Sequence, residues 1–396
     1  MKALVGFADR AAFFFVLLAF FSITNARGDL QPPSEFTVAV TGADITIRFG
    51  TVPGQTYAVE KSTTLAQGSW TEILGNVAGT GVVKTTTDAG AASLRKCFYR
   101  IRYRVEPMYV RTQHGSGGQN GLFAAVSTDG KTFQPVSNQW PSPYPYYVRD
   151  PSIIKYGNAW VTVYTNAFSG TGSFGIATST DLVNWTKIGD INIPGVPGPA
   201  NNTWAPEWLV DGGTYYVVVR YSQTGGTYVL SPFYSAPGVG YMQCTNPGTW
   251  TAWTNWIALG GIPTKFNDAY IAKAGSTYRI FGRNDDSGVY LETASSSSPF
   301  SGYTLSHIAE SAAWASAISA TYLEGPCAVN IGGSHWLLYF QKGDDDTCYY
   351  VESADDMATW GTVPTLLAGS VPTGANGFGH GTVLAITKND YATAGQ

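Results

Sequence analysis

From residue 36 onward, apolar and polar residues alternate in short runs that stop at Gly, Pro, Asn or Asp. In DITIRF, Ile45, Ile47 and Phe49 fall on one face with a period of two, the signature of a half-buried strand. Similar runs up to residue 105 are separated by the turns VPGQ, GNVAGTG and DAGA, and together they predict a small two-sheet sandwich. Cys97, Tyr99 and Ile101 alternate in the last of these runs, which predicts core burial for Cys97.

After Val105 the texture becomes a repeat. Each unit opens on a polar, often acidic residue, continues as an apolar strand, turns at Gly or Asn, and resumes as a strand rich in Tyr, Trp or Val. The openings are DPSIIKYGNAWVTVYT at Asp150, APEWLVDGGTYYVVV at Glu207, NDAYIAKAGSTYRIF at Asp268, EGPCAVNIGGSHWLLYF at Glu324 and HGTVLAIT at His380. They follow one another at about 57, 61, 56 and 56 residues, a spacing slightly above that of common propeller repeats. The reading is all-β: a five-bladed β-propeller preceded by the small sandwich. Three repeats share a closing phrase, VSTDGKTF at Ser127, TSTDLVNW at Ser179 and ESADDMATW at Ser353, in which Ser and Asp bond a turn and the aromatic plugs a gap between sheets. The last opening lies too near the C-terminus to complete a blade, and residues 108–133 carry strands without an opening, so the two are expected to form one blade and close the ring.

At the N-terminus, Lys2 and Arg10 precede an apolar run from Ala11 to Phe21 and then small or polar residues around Ala26. That order predicts a secretory signal, too short for an ordinary membrane span. The expected divisions are residues 1–27 as signal, 28–105 as sandwich and 106–396 as propeller, in a secreted or periplasmic monomer.

Composition narrows the function. Charged residues make up 13% and aromatics 14% of the chain, which suits strands and tight turns better than long helices. A net charge of -4 without clustered Lys and Arg excludes nucleic acid as the natural partner and favours a neutral polymer such as polysaccharide. The four cysteines match no zinc spacing.

In a propeller the innermost strands surround a channel, and their heads point toward one mouth. Asp150, Glu207, Asp268, Glu324 and His380 are therefore expected to converge. Four carboxylates in one place cannot all ionise comfortably, so an acid and a base can coexist there, as hydrolysis of a glycosidic bond requires. Trp204, Trp208, Phe266 and Tyr270 flank the carboxylates, and Trp204, on the loop entering the second inner strand, is the expected platform for a sugar face. His114, His307 and His335 read as surface or packing residues, and Asp344, Asp345 and Asp346 as a solvated hairpin tip.

VRDPSI, TWAPEW, the Asp of NDAYI, LEGP and GFGHGTV resemble, in order and blade position, the motifs of glycoside hydrolase family 43, inverting enzymes built on five-bladed propellers. The likeness covers residues 108–388, and the segment before it resembles fibronectin type III-like modules that precede many secreted hydrolases. It implies that Asp150 is the general base, that Asp268 tunes and orients the acid, and that Glu324 is the general acid. His380 corresponds to an axial histidine that helps hold a calcium ion. Glu207 stands where the family commonly has Asp, and a supporting or substrate-binding role is implied for it. The substrates implied are plant polysaccharides bearing arabinose or xylose. Galactan- or agar-oligosaccharide hydrolysis, phosphorolysis on the same scaffold and non-catalytic sugar binding are the rival readings. Phosphorolysis would need basic groups, of which Arg149 and Arg283 lie near openings.

Overall fold

The computed structural model describes residues 4–6, 15–22, 35–52, 55–66, 69–94, 96–105, 107–114, 121–137, 144–167, 171–196, 202–222, 237–343, 347–372, 378–387 and 391. The tip at Asp344–Asp346 and most of the expected signal lie outside them. Contacts divide the chain between Pro107 and Met108 into two compact units, with Ile386–Thr393 grouped with the first.

The N-terminal unit holds two sheets. Phe36–Thr41, Asp44–Gly50 and Val83–Asp88 form one; Gln55–Ser62, Thr71–Ala78 and Phe98–Val105 belong to the other, in which Phe15–Ser22 pairs in parallel with Phe98–Val105. Ile45, Ile47 and Phe49 from the first sheet meet Tyr57, Val59, Cys97, Tyr99 and Ile101 in one buried cluster. The period-two pattern is what puts these residues on a single face.

The larger unit repeats one plan. The first repeat is an antiparallel sheet of Arg149–Tyr156, Ala159–Thr165, Ser173–Ser179 and Thr186–Asn192, with its strands in sequence order. The second runs Asn202–Asp211, Thr214–Ser222, Pro237–Gln243 and Ile257–Ala258; the third Phe266–Ala274, Thr277–Asn284, Leu291–Ser296 and Ser306–His307; the fourth Leu323–Gly332, His335–Lys342, Thr347–Ser353 and Thr365–Leu366. The C-terminal strand Val383–Thr387 lies beside Pro107–His114 in a fifth sheet, continued by Leu122–Ser127 and Thr132–Pro135. Residues from the two ends of the unit thus share one sheet.

Apolar clusters join successive sheets. Val161 and Phe174 pack with Trp208 and Trp250; Leu209 and Val218 with Ile271 and Ile280; Phe281 and Leu291 with Leu338 and Phe340; Leu337 and Tyr339 with Tyr109 and Phe133. The closing phrases act as turns: the Ser127, Ser179 and Ser353 hydroxyls donate to Asp129, Asp181 and Asp355 at 2.8, 2.9 and 2.7 Å, and each Asp accepts backbone N–H groups beyond it. Phe133, Trp185 and Trp360 are buried after them.

Between the third and fourth repeats lies the one α-helix of more than a single residue among the described residues, Ser311–Ala317. Its Trp314 is fully buried, stacks on Phe340 at 5.3 Å and donates its indole N–H to the Gly361 carbonyl at 2.8 Å. Trp314→Ala opens a large cavity and strands that carbonyl, and we expect a loss of about 3 to 5 kcal/mol in a denaturant titration. A change below about 1 kcal/mol would show that the helix contributes little to the core.

Candidate active site

Four inner strands carry the same irregularity at their heads. The pairing register slips between Arg149 and Ser152, between Trp204 and Glu207, between Asn267 and Tyr270, and between Glu324 and Cys327. Within each slip one residue is left-handed: Asp150 at φ +49°, Ala205 at +45°, Asp268 at +51° and Gly325 at +59°. These are β-bulges, which bend a strand and re-aim a side chain, and three of them hold a residue other than Gly in a conformation that costs energy.

The bulges correct the expected phase of the repeat. Asp150 and Asp268 sit at the bulged position itself, but Glu324 precedes its bulge by one residue and Glu207 follows its own by two. Spacing alone treats all four as equivalent, because a shift of one or two residues disappears within intervals near 57.

Asp150 is buried at 7% exposure, with Oδ2 accepting from Thr165 Oγ1 at 2.9 Å and Oδ1 2.9 Å from His380 Nδ1. Burial opposes its charge, yet His380, Arg149 and His114 outweigh burial and hold the carboxyl well below the usual carboxylate range. His380 is also buried; that burial disfavours its cation, but Asp150, and behind it Asp268 and Glu207, raise its pKa to about 9. Near neutral pH the pair is imidazolium and carboxylate.

Glu324 is shifted the other way. Burial, then the Asp268 charge, pushes it up to about 7 against the pull of His380 and Arg283. Asp268 Oδ2 accepts the Gly325 N–H at 3.2 Å, which fixes the two carboxylates in one neighbourhood. Asp150 and Glu324 therefore differ in protonation because of what surrounds them, the pattern that separates a base from an acid.

Glu207 is buried more deeply than Asp150. It is 2% exposed, and both of its oxygens accept from Thr382 Oγ1, at 3.1 and 2.8 Å. Burial raises it to about 7, with His380 and hydrogen bonds from Ser152 and Thr382 opposing. Two residues past its bulge, it is a buried neighbour of His380 and Asp150. Trp204 is half-buried, with the Arg220 guanidinium 6.0 Å from the ring centroid. Trp208 and Phe266 are core residues, and Tyr270 donates its hydroxyl to the Ala328 carbonyl at 2.9 Å.

Several supporting residues were not singled out for these positions. His114 is no surface residue: it is 4% exposed, its Nδ1 lies 3.2 Å from the His380 carbonyl oxygen, and it contributes to the charge balance on Asp150. Arg149 feels Asp150 first, then Tyr147, Glu324 and Asp268, which places a cation among three of the carboxylates. Thr165, Arg220, Arg283 and Gln341 are the cross-strand partners of Arg149, Trp204, Asn267 and Glu324. The signal for these four was present in the sequence, as a polar residue at the end of each apolar second strand: VYT, VVR, FGR and YFQ.

Arg283 is the most exposed to test. Its Nη1 lies 3.8 Å from Glu324 Oε2, its Nη2 lies 2.9 Å from Asp285 Oδ1, and its guanidinium sits 4.0 Å from the Tyr322 ring centroid. The cation favours ionised Glu324, so Arg283→Met removes a pull toward lower pKa. We expect the alkaline limb of the kcat/KM profile to move to higher pH; a limb that stays in place would show that Arg283 is not coupled to Glu324.

Gly325 permits close approach at the centre. A Cβ there would lie 2.6 Å from His380 Cδ2, on a backbone at φ +59°. Gly325→Ala is expected to displace His380 and lower kcat by about tenfold or more, the usual cost of ~1 Å misplacement being larger still. Unchanged kcat would mean that the ring position is not critical.

The residues present do not by themselves fit calcium. His380 Nδ1 is engaged with Asp150, its ring favours the protonated form, and among the described residues no three His, Cys, Asp or Glu side chains form a cation cage. Calcium takes six to eight oxygen ligands.

A carboxyl held ionised and a second one raised to about 7 in a single cluster are the pair of groups that acid–base hydrolysis uses. The sequence model of glycosyl hydrolases family 43 matches residues 144–393, and the chain belongs to that family, which makes it an inverting glycoside hydrolase. Similar solved structures include an α-L-arabinofuranosidase from Lactobacillus brevis, 14% identical over 55% of this chain and 73% of that one, with a TM-score of 0.44. An exo-1,5-α-L-arabinanase from a bovine ruminal metagenomic library is 17% identical over 63% and 81%, at 0.41. A family 43 enzyme from Xanthomonas citri complexed with xylose is 11% identical over 57% and 76%, at 0.43. No curated protein sequence matches the chain.

Proposed function

We propose that the chain is a secreted or periplasmic hydrolase that releases arabinose or xylose from plant cell-wall polysaccharide, of the α-L-arabinofuranosidase or β-xylosidase type. The observation that carries the mechanism is the placement of Asp150 against His380 and Thr165, which favours its charge, and of Glu324 beside Asp268, where burial and a neighbouring carboxylate favour its proton. Asp150, ionised, accepts a proton from the water that attacks the anomeric carbon. Glu324, protonated, donates to the departing glycosidic oxygen. Asp268 holds the Gly325 backbone and keeps Glu324 from ionising early. Inversion requires the two carboxyls to be ~6.5 to 9.5 Å apart, with water between Asp150 and the sugar.

The scaffold in this proposal is a closed five-bladed propeller, with the sheet shared by residues 107–135 and 383–387 as the closing blade. The Thr382 N–H donates to the Pro151 carbonyl at 3.1 Å and supports contact between that sheet and the first repeat. The N-terminal unit is proposed as a fibronectin type III-like spacer, and residues 1–27 as a signal whose removal takes away the strand Phe15–Ser22 and leaves Phe98–Val105 paired with Gln55–Ser62.

The test is incubation with aryl α-L-arabinofuranosides, aryl β-xylosides, and arabinan and xylan oligomers, with the anomer of the first product read by NMR. Release of arabinose or xylose with inverted configuration supports the proposal. Retention of configuration, or turnover only in the presence of phosphate, overturns it.

A further inference from the structure

A bulge frees backbone groups from the ladder as well as bending the strand, and a buried N–H so freed needs another acceptor. In the second repeat, Ala205 and Pro206 fall within the slip and have no partner on Thr214–Ser222. Pro206 has no N–H, so the Ala205 N–H is the one donor that the slip releases. It leaves its own sheet and donates to Thr165 Oγ1, in the first repeat, at 2.9 Å. The fourth repeat does the same with Gly325 and Pro326: the Gly325 N–H donates to Asp268 Oδ2, in the third repeat. Each of these two bulges hands a donor to the repeat before it. Gly325 reaches its aspartate directly, and Ala205 reaches Asp150 through Thr165.

The direction of that chain is fixed by valence. Thr165 is fully buried, and its hydroxyl has one proton to give. Because Oγ1 accepts from the Ala205 N–H, the proton goes to the acceptor on its other side, Asp150 Oδ2, at 2.9 Å. On the opposite oxygen, His380 Nδ1 lies 2.9 Å from Oδ1. Both oxygens of Asp150 are thus held, which sets the plane of the carboxyl and the direction of the lone pairs left for a water.

We propose that Thr165 is a positioning residue for the hydrolysis: it relays the Ala205 N–H to Asp150 and holds the carboxyl in the plane from which it takes the proton of the attacking water. The inference rests on the hydrolase reading above, in which Asp150 is the base. It also gives the second bulge a part in the chemistry of the first repeat, although no carboxylate stands at its left-handed position. A left-handed Ala costs energy that a regular strand would not. Aiming this N–H is what the strain accomplishes.

The experiment measures kcat and KM separately, on an aryl glycoside and on an oligosaccharide, for wild type, Thr165→Val, Thr165→Ala and Thr165→Ser. Val keeps most of the volume and loses the hydroxyl, Ala loses both, and Ser keeps the hydroxyl alone. We expect kcat to fall about 10- to 100-fold in the Val and Ala variants on both substrates, the scale of a ~1 Å misplacement of a reacting group. KM is expected to stay within about twofold, and Thr165→Ser to recover kcat to within about threefold of wild type. The two hydroxyl-free variants pack differently, so either one that folds gives the reading. Added to Asp150→Asn, Thr165→Val is expected to cost less than about twofold more, because the residue acts through Asp150. Wild-type kcat in a hydroxyl-free variant, a Ser variant as slow as the Val variant, or a full further loss on top of Asp150→Asn each overturns the positioning role and leaves the hydrolase reading intact. No product from wild type on any glycoside overturns the hydrolase reading, and the positioning role with it.

Discussion

Asp150→Asn will lower kcat/KM by about 10³- to 10⁴-fold on every substrate, because an amide cannot take the proton of the attacking water. The loss is expected to be equal for activated aryl glycosides and for natural oligomers, since attack by water is required whatever group departs. A further readout distinguishes loss of a base from general damage. Asp150 is the chief support of the raised His380 pKa, so in the variant the imidazole is expected to lose its proton at lower pH, visible in the histidine NMR signals. Full activity in Asp150→Asn would remove the residue from the mechanism.

Glu324→Gln is expected to cost about 10²- to 10⁴-fold on oligosaccharides and much less on aryl glycosides whose leaving groups need no protonation. The sign of its pH dependence follows from the pKa of about 7. The acid works while protonated, so wild-type kcat/KM falls as pH rises through that value. Asp150 lies well below the usual range, which sets the acidic limb far lower. Glu207 also titrates near 7, and an alkaline limb taken alone would not say which carboxyl is responsible. Its disappearance in Glu324→Gln would identify Glu324; its persistence would point to Glu207. Equal losses on both substrate types would undo the acid assignment.

Much of the fold was legible because period-two alternation survives in each strand and the openings recur at nearly constant spacing. The sheet shared between residues 107–135 and the C-terminal strand was legible from an accounting of incomplete repeats. The exact offset of each carboxylate was not. A bulge leaves no mark in an apolar pattern, and the left-handed residue is Asp, Ala, Asp and Gly in the four strands, so no one residue type announces it. The motifs VRDP, WAPE and LEGP did carry a Pro directly after three of the left-handed positions, a punctuation visible in the sequence. The site's polar second rank was present as strand-ending residues but gave no sign of direction. Whether Thr165 or Arg283 faces a carboxylate depends on register, which only pairing reveals. His114 was obscured for the same reason, since its partner is 266 residues away in sequence.

The four bulges also make the heads of the strands interchangeable addresses. Ala205 occupies in the second repeat the backbone state that Asp150 and Asp268 occupy in the first and third, and its N–H already bonds the Thr165 hydroxyl that steadies Asp150, at 2.9 Å. A side chain installed there would start from the same backbone state as the two aspartates. The scaffold thus separates the backbone state that presents a group from the identity of the group presented.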